Sequence, residues 1–233
     1  MNLAEQVEHT APPVESFKLI RTLALVAMFS GFLIVLVVQA TEPRIAENKQ
    51  RALERAVFEV LPGATTSVTF SVLPEGLKRM AADGNRFGGP KAYAGYNEDG
   101  TLAGVALEAE GQGYQHIIRI LYGYSPDQQI LTGMTVLESK ETPGLGDKIA
   151  KSPEFLANFA ALDVRVDPGG QSLLHAIETV KHGAKTDTWQ IDGITGATIS
   201  SVAIGKMLGA SAQAMVPFIN EHRAELELEG SGK

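Results

Sequence analysis

The sequence predicts an α+β fold: one N-terminal transmembrane helix, then a single domain with an antiparallel sheet and flanking helices. Three observations carry this reading. Residues 22–41, TLALVAMFSGFLIVLVVQAT, contain no charged side chain. Two later stretches, AYAGYNEDGTLAGVALEAE and HIIRILYGYSPDQQILTGMTVLES, each read as two strands around a polar turn. From residue 199 to about residue 228, small and apolar residues recur at helical spacing.

The apolar run comes first. At a rise of about 1.5 Å per residue, a helix of this length spans about 30 Å, the hydrocarbon thickness of a bilayer. A cleaved signal peptide would have a shorter apolar region followed by a small-x-small site. VVQATEP matches such a site poorly, so the run reads as an uncleaved anchor over residues 22–41, preceded by an N-terminal segment over 1–21. Lys18 and Arg21 precede the run, and Arg44, Lys49, Arg51 and Arg55 follow it. Charge therefore leaves the orientation undecided.

Residues 42–63 predict a linker helix that starts near Pro43 and stops at Pro62-Gly63, with Ile45, Leu53, Val57, Val60 and Leu61 on one face. The globular domain is expected over residues 64–228 and a loose tail over 229–233. Inside the domain, the first hairpin turns at residues 97–100 and the second at 125–128. Residues 148–161 read as helical, and residues 163–188 show no clear period. No repeat of solenoid length occurs.

Composition excludes several chemistries. The chain of 233 residues has no cysteine, so it has no disulfide, thiolate metal site, iron–sulfur cluster or cysteine nucleophile. A net charge of −7 without a basic stripe argues against nucleic-acid binding. His116 opens an apolar strand with no second ligand at metal spacing, so no metal site is expected. His175 and His182 are expected at the surface.

Three motifs could carry chemistry. DGITGATISS, residues 192–201, gathers small residues and hydroxyls just before the last helix. Helix-start N–H groups lack internal partners and favour an anion. Gly196 and Ala197 leave room for one, and Ser200 and Ser201 add donors, so a phosphate suits this place. The plain alternative is that Thr195 or Thr198 is an N-cap that binds nothing, and this stretch alone favours it. ETPGLG, residues 141–146, is an irregular strand-to-helix loop that could set backbone N–H groups against a flat polar ring, or could simply connect two elements. GQGY, residues 111–114, lacks the third glycine of a dinucleotide fingerprint and reads equally as a turn.

Together, and in this order behind an N-terminal anchor, ATEPRIAEN, VLPG, GQGY, ETPGLGDKI and DGITGATISS resemble one family. The chain is similar to the G subunits of Rnf (Rsx) electron-transport complexes, and more distantly to the C subunits of sodium-pumping NADH:quinone reductases. The resemblance implies FMN joined by its phosphate to a threonine hydroxyl. The acceptor is the last residue of Asp-x-x-(Ser/Thr)-Gly-Ala-Thr, which maps onto Asp192, Thr195, Gly196, Ala197 and Thr198. Thr198 is then the attachment residue. Ser200 is carried along as a further donor. Glu141, Thr142, Gly144, Leu145 and Gly146 are expected around the ring, with Glu141 as a charge close to it and Tyr114 either nearby or packed in the core.

The resemblance also implies a function: an electron-relaying subunit of a ferredoxin:NAD oxidoreductase that moves ions, with no independent catalytic site. It further implies a periplasmic domain on a bacterial inner membrane, other integral subunits as partners, and a flavin transferase that uses FAD and a divalent metal. Two rivals stand beside it. One is a membrane-anchored binding domain without a redox cofactor, which a flavin colour surviving denaturation would exclude. The other is a flavin domain serving a soluble periplasmic enzyme, which co-purification with polytopic subunits would exclude.

Overall fold

The computed structural model describes residues 16–80 and 89–227. The tail expected at 229–233, residue 228 and residues 1–15 of the N-terminal segment lie outside the described residues.

The first helix, α1 (Ser16–Val60), is continuous and carries Pro43 inside it. This corrects the expectation of a separate linker helix starting near Pro43. A proline removes one helical hydrogen bond without obliging the chain to turn where helix formers flank it on both sides. Just before it, Thr41 Oγ1 donates to the carbonyls of Val37 (2.8 Å) and Val38 (3.2 Å). The apolar side chains of residues 22–41 are exposed, Phe29 and Phe32 among them. Such a surface belongs in lipid, so this part of α1 is the membrane anchor.

Six antiparallel strands follow: β1 (Thr66–Leu73), β2 (Gly76–Arg79), β3 (Lys91–Tyr96), β4 (Leu102–Gln112), β5 (Ile117–Ser125) and β6 (Ile130–Glu138). Their order in the sheet is β2-β1-β3-β4-β5-β6. Strands β7 (Glu178–Val180) and β8 (Gln190–Asp192) form a short parallel pair. The last two elements are a long helix (Thr198–Glu221), named α3 below, and a 3-10 turn at Arg223–Leu226.

Strand alternation divides the sheet residues between two cores. On one face Ala94, Val105, Leu107, Ile120 and Tyr122 pack with Ile204, Leu208, Ala212 and Val216 of α3. On the other, Tyr93, Ala106 and Leu121 pack with Ala56, Val57, Val60 and Leu61 at the end of α1. Both faces of the central strands are covered, which is why β5 reads as an almost unbroken apolar run. Three fully buried tyrosines find partners: Tyr122 with Ser211 Oγ (2.8 Å), Tyr124 with Asn220 Oδ1 (2.8 Å) and Tyr96 with the Leu226 carbonyl (2.6 Å). Helix α3 is apolar and long enough to cross a membrane, but half of its most apolar window is buried. It is a core helix.

Residues 148–161 do not form one helix, contrary to the sequence pattern. A 3-10 turn (Gly146–Ala150) is followed by α2 (Pro153–Leu156) and a second 3-10 turn (Ala157–Phe159). Pro153 has no N–H to continue the first turn, and Ser152 Oγ instead accepts from the Phe155 N–H to restart the helix. Ile149, Phe155 and Phe159 still face the core.

The end of α1 rests on glycines. Gly95 pairs with Gly104, and Gly123 with Gly133. A Cβ on Gly95 or Gly104 would crowd Leu61, and one on Gly123 would overlap the Val60 carbonyl and Thr132 Oγ1. That carbonyl has no helical partner and accepts from Thr132 Oγ1 at 2.5 Å. Gly123→Ala should therefore lower domain stability by about 1–3 kcal/mol. At Gly133 an added methyl meets Val60 only at ordinary contact distance, 3.4 Å. Gly133→Ala should stay within about 0.5 kcal/mol of the parent. Urea unfolding followed by Trp189 fluorescence measures both, and equal effects would contradict the docking account.

Candidate functional site

Three connections meet at one end of the sheet. Strand β4 turns into β5 through residues 113–116, so GQGY ends in that turn. Strand β6 leaves the sheet at Glu138 and leads through ETPGLG into the 3-10 turn. Strand β8 leads through DGITGA into α3. Between them lies a cavity of about 350 Å³ lined by Tyr114, Glu141, Thr142, Leu145 and Gly146 on one side. Gly196, Ala197, Thr198, Ile199 and Ser200 line the other.

The connections are held together by one carboxylate. Glu141 is only 6% exposed. Its Oε1 accepts from the Gln115 N–H (3.0 Å), and its Oε2 accepts from the Tyr114 N–H (3.3 Å) and from Ser200 Oγ (2.5 Å). Two glycines make the approach possible. A Cβ on Gly113 would come within 2.7 Å of Oε1, and one on Gly146 within 2.6 Å of Oε2. Burial pushes the Glu141 carboxyl up, but hydrogen bonds from Ser200 and the N–H groups of Gln115, Tyr114 and His116 outweigh it. The group is held below the usual glutamate range.

The start of α3 is open. Its N-cap position is Ala197, and no side chain caps it. Neither Thr195 nor Thr198 takes the capping role that the sequence left open. Gly196 has φ +84°, a left-handed conformation that admits glycine readily. Ser201 is fully buried; its Oγ accepts from the Ile194 N–H (3.1 Å) and donates to the Ala197 carbonyl (2.9 Å), bracing the loop from below. Thr198 is left exposed on the cavity rim, at the first helical position.

Not every sequence candidate lies here. Asp192 and Thr195 line a separate pocket of about 200 Å³ with Ser152, Glu154, Phe155 and His182. Asp192 Oδ1 accepts from the Gly183 N–H (2.7 Å), and its Oδ2 lies 3.3 Å from His182 Nδ1. Its carboxylate orders the turn after β7 rather than facing the cavity. Gly144 is also outside the cavity lining; with φ +78° it donates its N–H to Asp147 Oδ1 (2.7 Å), which closes its own loop. Ile199, which the sequence did not single out, lines the cavity and is 58% exposed. Its exposed neighbours Leu145 (52%) and Tyr114 (64%) extend the apolar rim.

The Glu141 linkage has a definite pH sign. A folded-state pKa below the unfolded value contributes stability that is complete above the unfolded value and is lost as pH falls through the folded one. Glu141→Gln should cost about 1–3 kcal/mol near neutrality, because a buried acceptor network loses its charge. The gap between parent and variant should narrow as pH falls below glutamate's ordinary value of 4.5. Unfolding curves of both proteins across that range test this, and a gap independent of pH would show that Glu141 is not ionised in the fold.

The three connections fall within a segment that is similar to known proteins. Residues 113–213 match the family model of an FMN-binding domain, and residues 21–60 match that of the RnfG N-terminal region. The G subunit of the ion-translocating oxidoreductase complex of Methanosarcina acetivorans is 31% identical over 192 residues, covering 82% of this chain and 89% of the relative. The G subunit of the complex of the same name from Cereibacter sphaeroides is 30% identical over 205 residues, covering 88% and 84%. Among solved structures, Shewanella oneidensis NqrC superposes with a TM-score of 0.63 at 18% identity, over 76% of this chain and 99% of that one. The C subunit of the Na⁺-translocating NADH-quinone reductase from Parabacteroides distasonis gives a TM-score of 0.56 at 16% identity, over 76% and 94%. These two likenesses establish the shared fold. With its anchor, its sheet and the cavity at the start of α3, the chain belongs to the family of G subunits of ion-translocating oxidoreductase complexes.

Proposed function

We propose that this chain is a membrane-anchored electron carrier that holds FMN, esterified through its phosphate to Thr198 Oγ1, within an ion-translocating oxidoreductase complex. The observation that carries the reading is the place of Thr198. It is an exposed hydroxyl at the first position of an uncapped helix, on the rim of the cavity that gathers ETPGLG and GQGY.

The residues present fit such a group. The cavity lies at the small end of ligand sites. The uncapped N-terminus of α3 offers N–H donors to a phosphate, and Gly196 and Ala197 leave the approach clear. Leu145, Ile199 and Tyr114 offer apolar surface for the flat part of a flavin. Bound FMN would supply one- and two-electron redox chemistry; the chain's own residues hold and orient it.

Attachment requires a flavin transferase with FAD and a divalent metal. The Thr198 hydroxyl forms the new P–O bond, the pyrophosphate bond of FAD breaks, AMP leaves and the hydroxyl proton is released. Asp192 and Thr195, set apart from the cavity, act as supports of the loop that presents Thr198. The partners are the other subunits of the complex, the transferase and the bilayer around residues 22–41. The domain stands on the periplasmic side of a bacterial inner membrane, with the N-terminus in the cytoplasm.

Thr198→Ala should fold and carry no covalent flavin, while Thr195→Ala should keep a substantial part. In-gel flavin fluorescence after denaturing electrophoresis reads this directly, and persistent fluorescence in Thr198→Ala would overturn the assignment. A reporter active only in the periplasm, fused after Lys233, should be active. Activity of a cytoplasmic reporter alone at that position would reverse the topology.

A further inference from the structure

The cavity that faces Thr198 carries a fixed negative charge of its own. It contains the buried Glu141 carboxylate, whose Oε2 lies 2.5 Å from Ser200 Oγ in the first turn of α3. Among the described residues that line it, none is a lysine or an arginine. The attraction on offer is the helix start, equivalent to about half a positive charge. A full negative charge beside about half a positive one leaves the cavity net negative. A phosphate monoester brings a further charge of about −1.5 to −2 near neutral pH.

We infer that Glu141 makes the unmodified cavity select against the phosphate of its ligand, so that uncharged riboflavin binds more tightly than FMN and the ester to Thr198, not affinity, keeps the phosphate in place. The inference rests on the reading of Thr198 as flavin acceptor. Esterification itself relieves the conflict. A phosphodiester carries about one negative charge where the monoester carries nearly two, so the tethered group is repelled less than the free one. Glu141 thereby has two effects: its hydrogen bonds build the cavity, and its charge keeps free FMN out of it.

The test uses the full-length chain in detergent, purified from a host without the flavin transferase and titrated with riboflavin and with FMN by fluorescence quenching. Riboflavin should bind about tenfold more tightly at low salt, a difference of about 1.4 kcal/mol. Raising the ionic strength from about 0.01 M to about 0.5 M shortens the screening length several-fold. It should strengthen FMN binding and leave riboflavin binding nearly unchanged. Glu141→Gln, checked for folding by its thermal transition, should erase or reverse the preference.

FMN binding tighter than riboflavin at low salt, or FMN binding that weakens with salt, would overturn the inference. If the parent chain binds neither flavin, Glu141→Gln must acquire FMN binding, and its failure to do so counts equally against it. If Glu141→Gln does not fold, the salt series on the parent chain decides. Failure of the underlying reading appears elsewhere, as covalent fluorescence that survives Thr198→Ala after co-expression with the transferase.

Discussion

The cavity at the start of α3 depends on one set of hydrogen bonds, those that the Glu141 carboxylate accepts from Ser200 Oγ and from the N–H groups of Tyr114 and Gln115. Each donor belongs to a different part of the chain from Glu141 itself. Ser200 lies in the first turn of α3, and Tyr114 and Gln115 lie in the turn between β4 and β5. The carboxylate fastens the ETPGLG loop to both of them at once. A buried carboxylate is costly unless its oxygens are filled, and here both are. Gly113 and Gly146 are required at their positions because a side chain on either would occupy the space of those oxygens.

The same economy of space operates at the opposite core. The end of α1 lies against Gly95, Gly104, Gly123 and Gly133, and its terminal carbonyl is satisfied by Thr132. The sheet can therefore be covered on both faces, with α3 on one and the last turn of α1 on the other. Rigid strands beneath both helices keep the three connections in register at the sheet end. A site built where loops leave a fixed scaffold combines close chemical approach with stable geometry.

Much of this was legible in the sequence because it rests on periodicity and turn chemistry. The apolar run, the two hairpins turning at residues 97–100 and 125–128, and the final helix follow from strand and helix spacing. The structure differs where a local feature competes with the pattern. Pro43 looked like a helix start, yet α1 runs through it. Pro153 and Ser152 divide the segment 148–161 although its apolar faces keep helical spacing. The pair β7–β8 has no signature in the sequence because each strand has only 3 residues, too few for a period. In the site, the motif residues Thr198, Gly196, Ala197, Ser200, Glu141, Thr142, Leu145, Gly146 and Tyr114 converge on one cavity. Asp192 and Thr195, in the same motif as Thr198, face a different pocket. A motif written in one dimension does not tell which of its side chains point the same way across a tight turn. Glu141 lines the same cavity as the sequence suggests, and the fold adds that its oxygens accept from Ser200 Oγ and from the N–H groups of Tyr114 and Gln115.

The proposed electron-carrying role stands on attachment of FMN at Thr198. Intact-mass measurement of the chain co-expressed with a flavin transferase, followed by fragmentation of the tryptic peptide 186–206, tests it most directly. The expected result is an increment of one FMN less one water, with the modified fragments assigning it to Thr198 alone. An unmodified mass, or an increment on Thr195, Ser200 or Ser201, would contradict it.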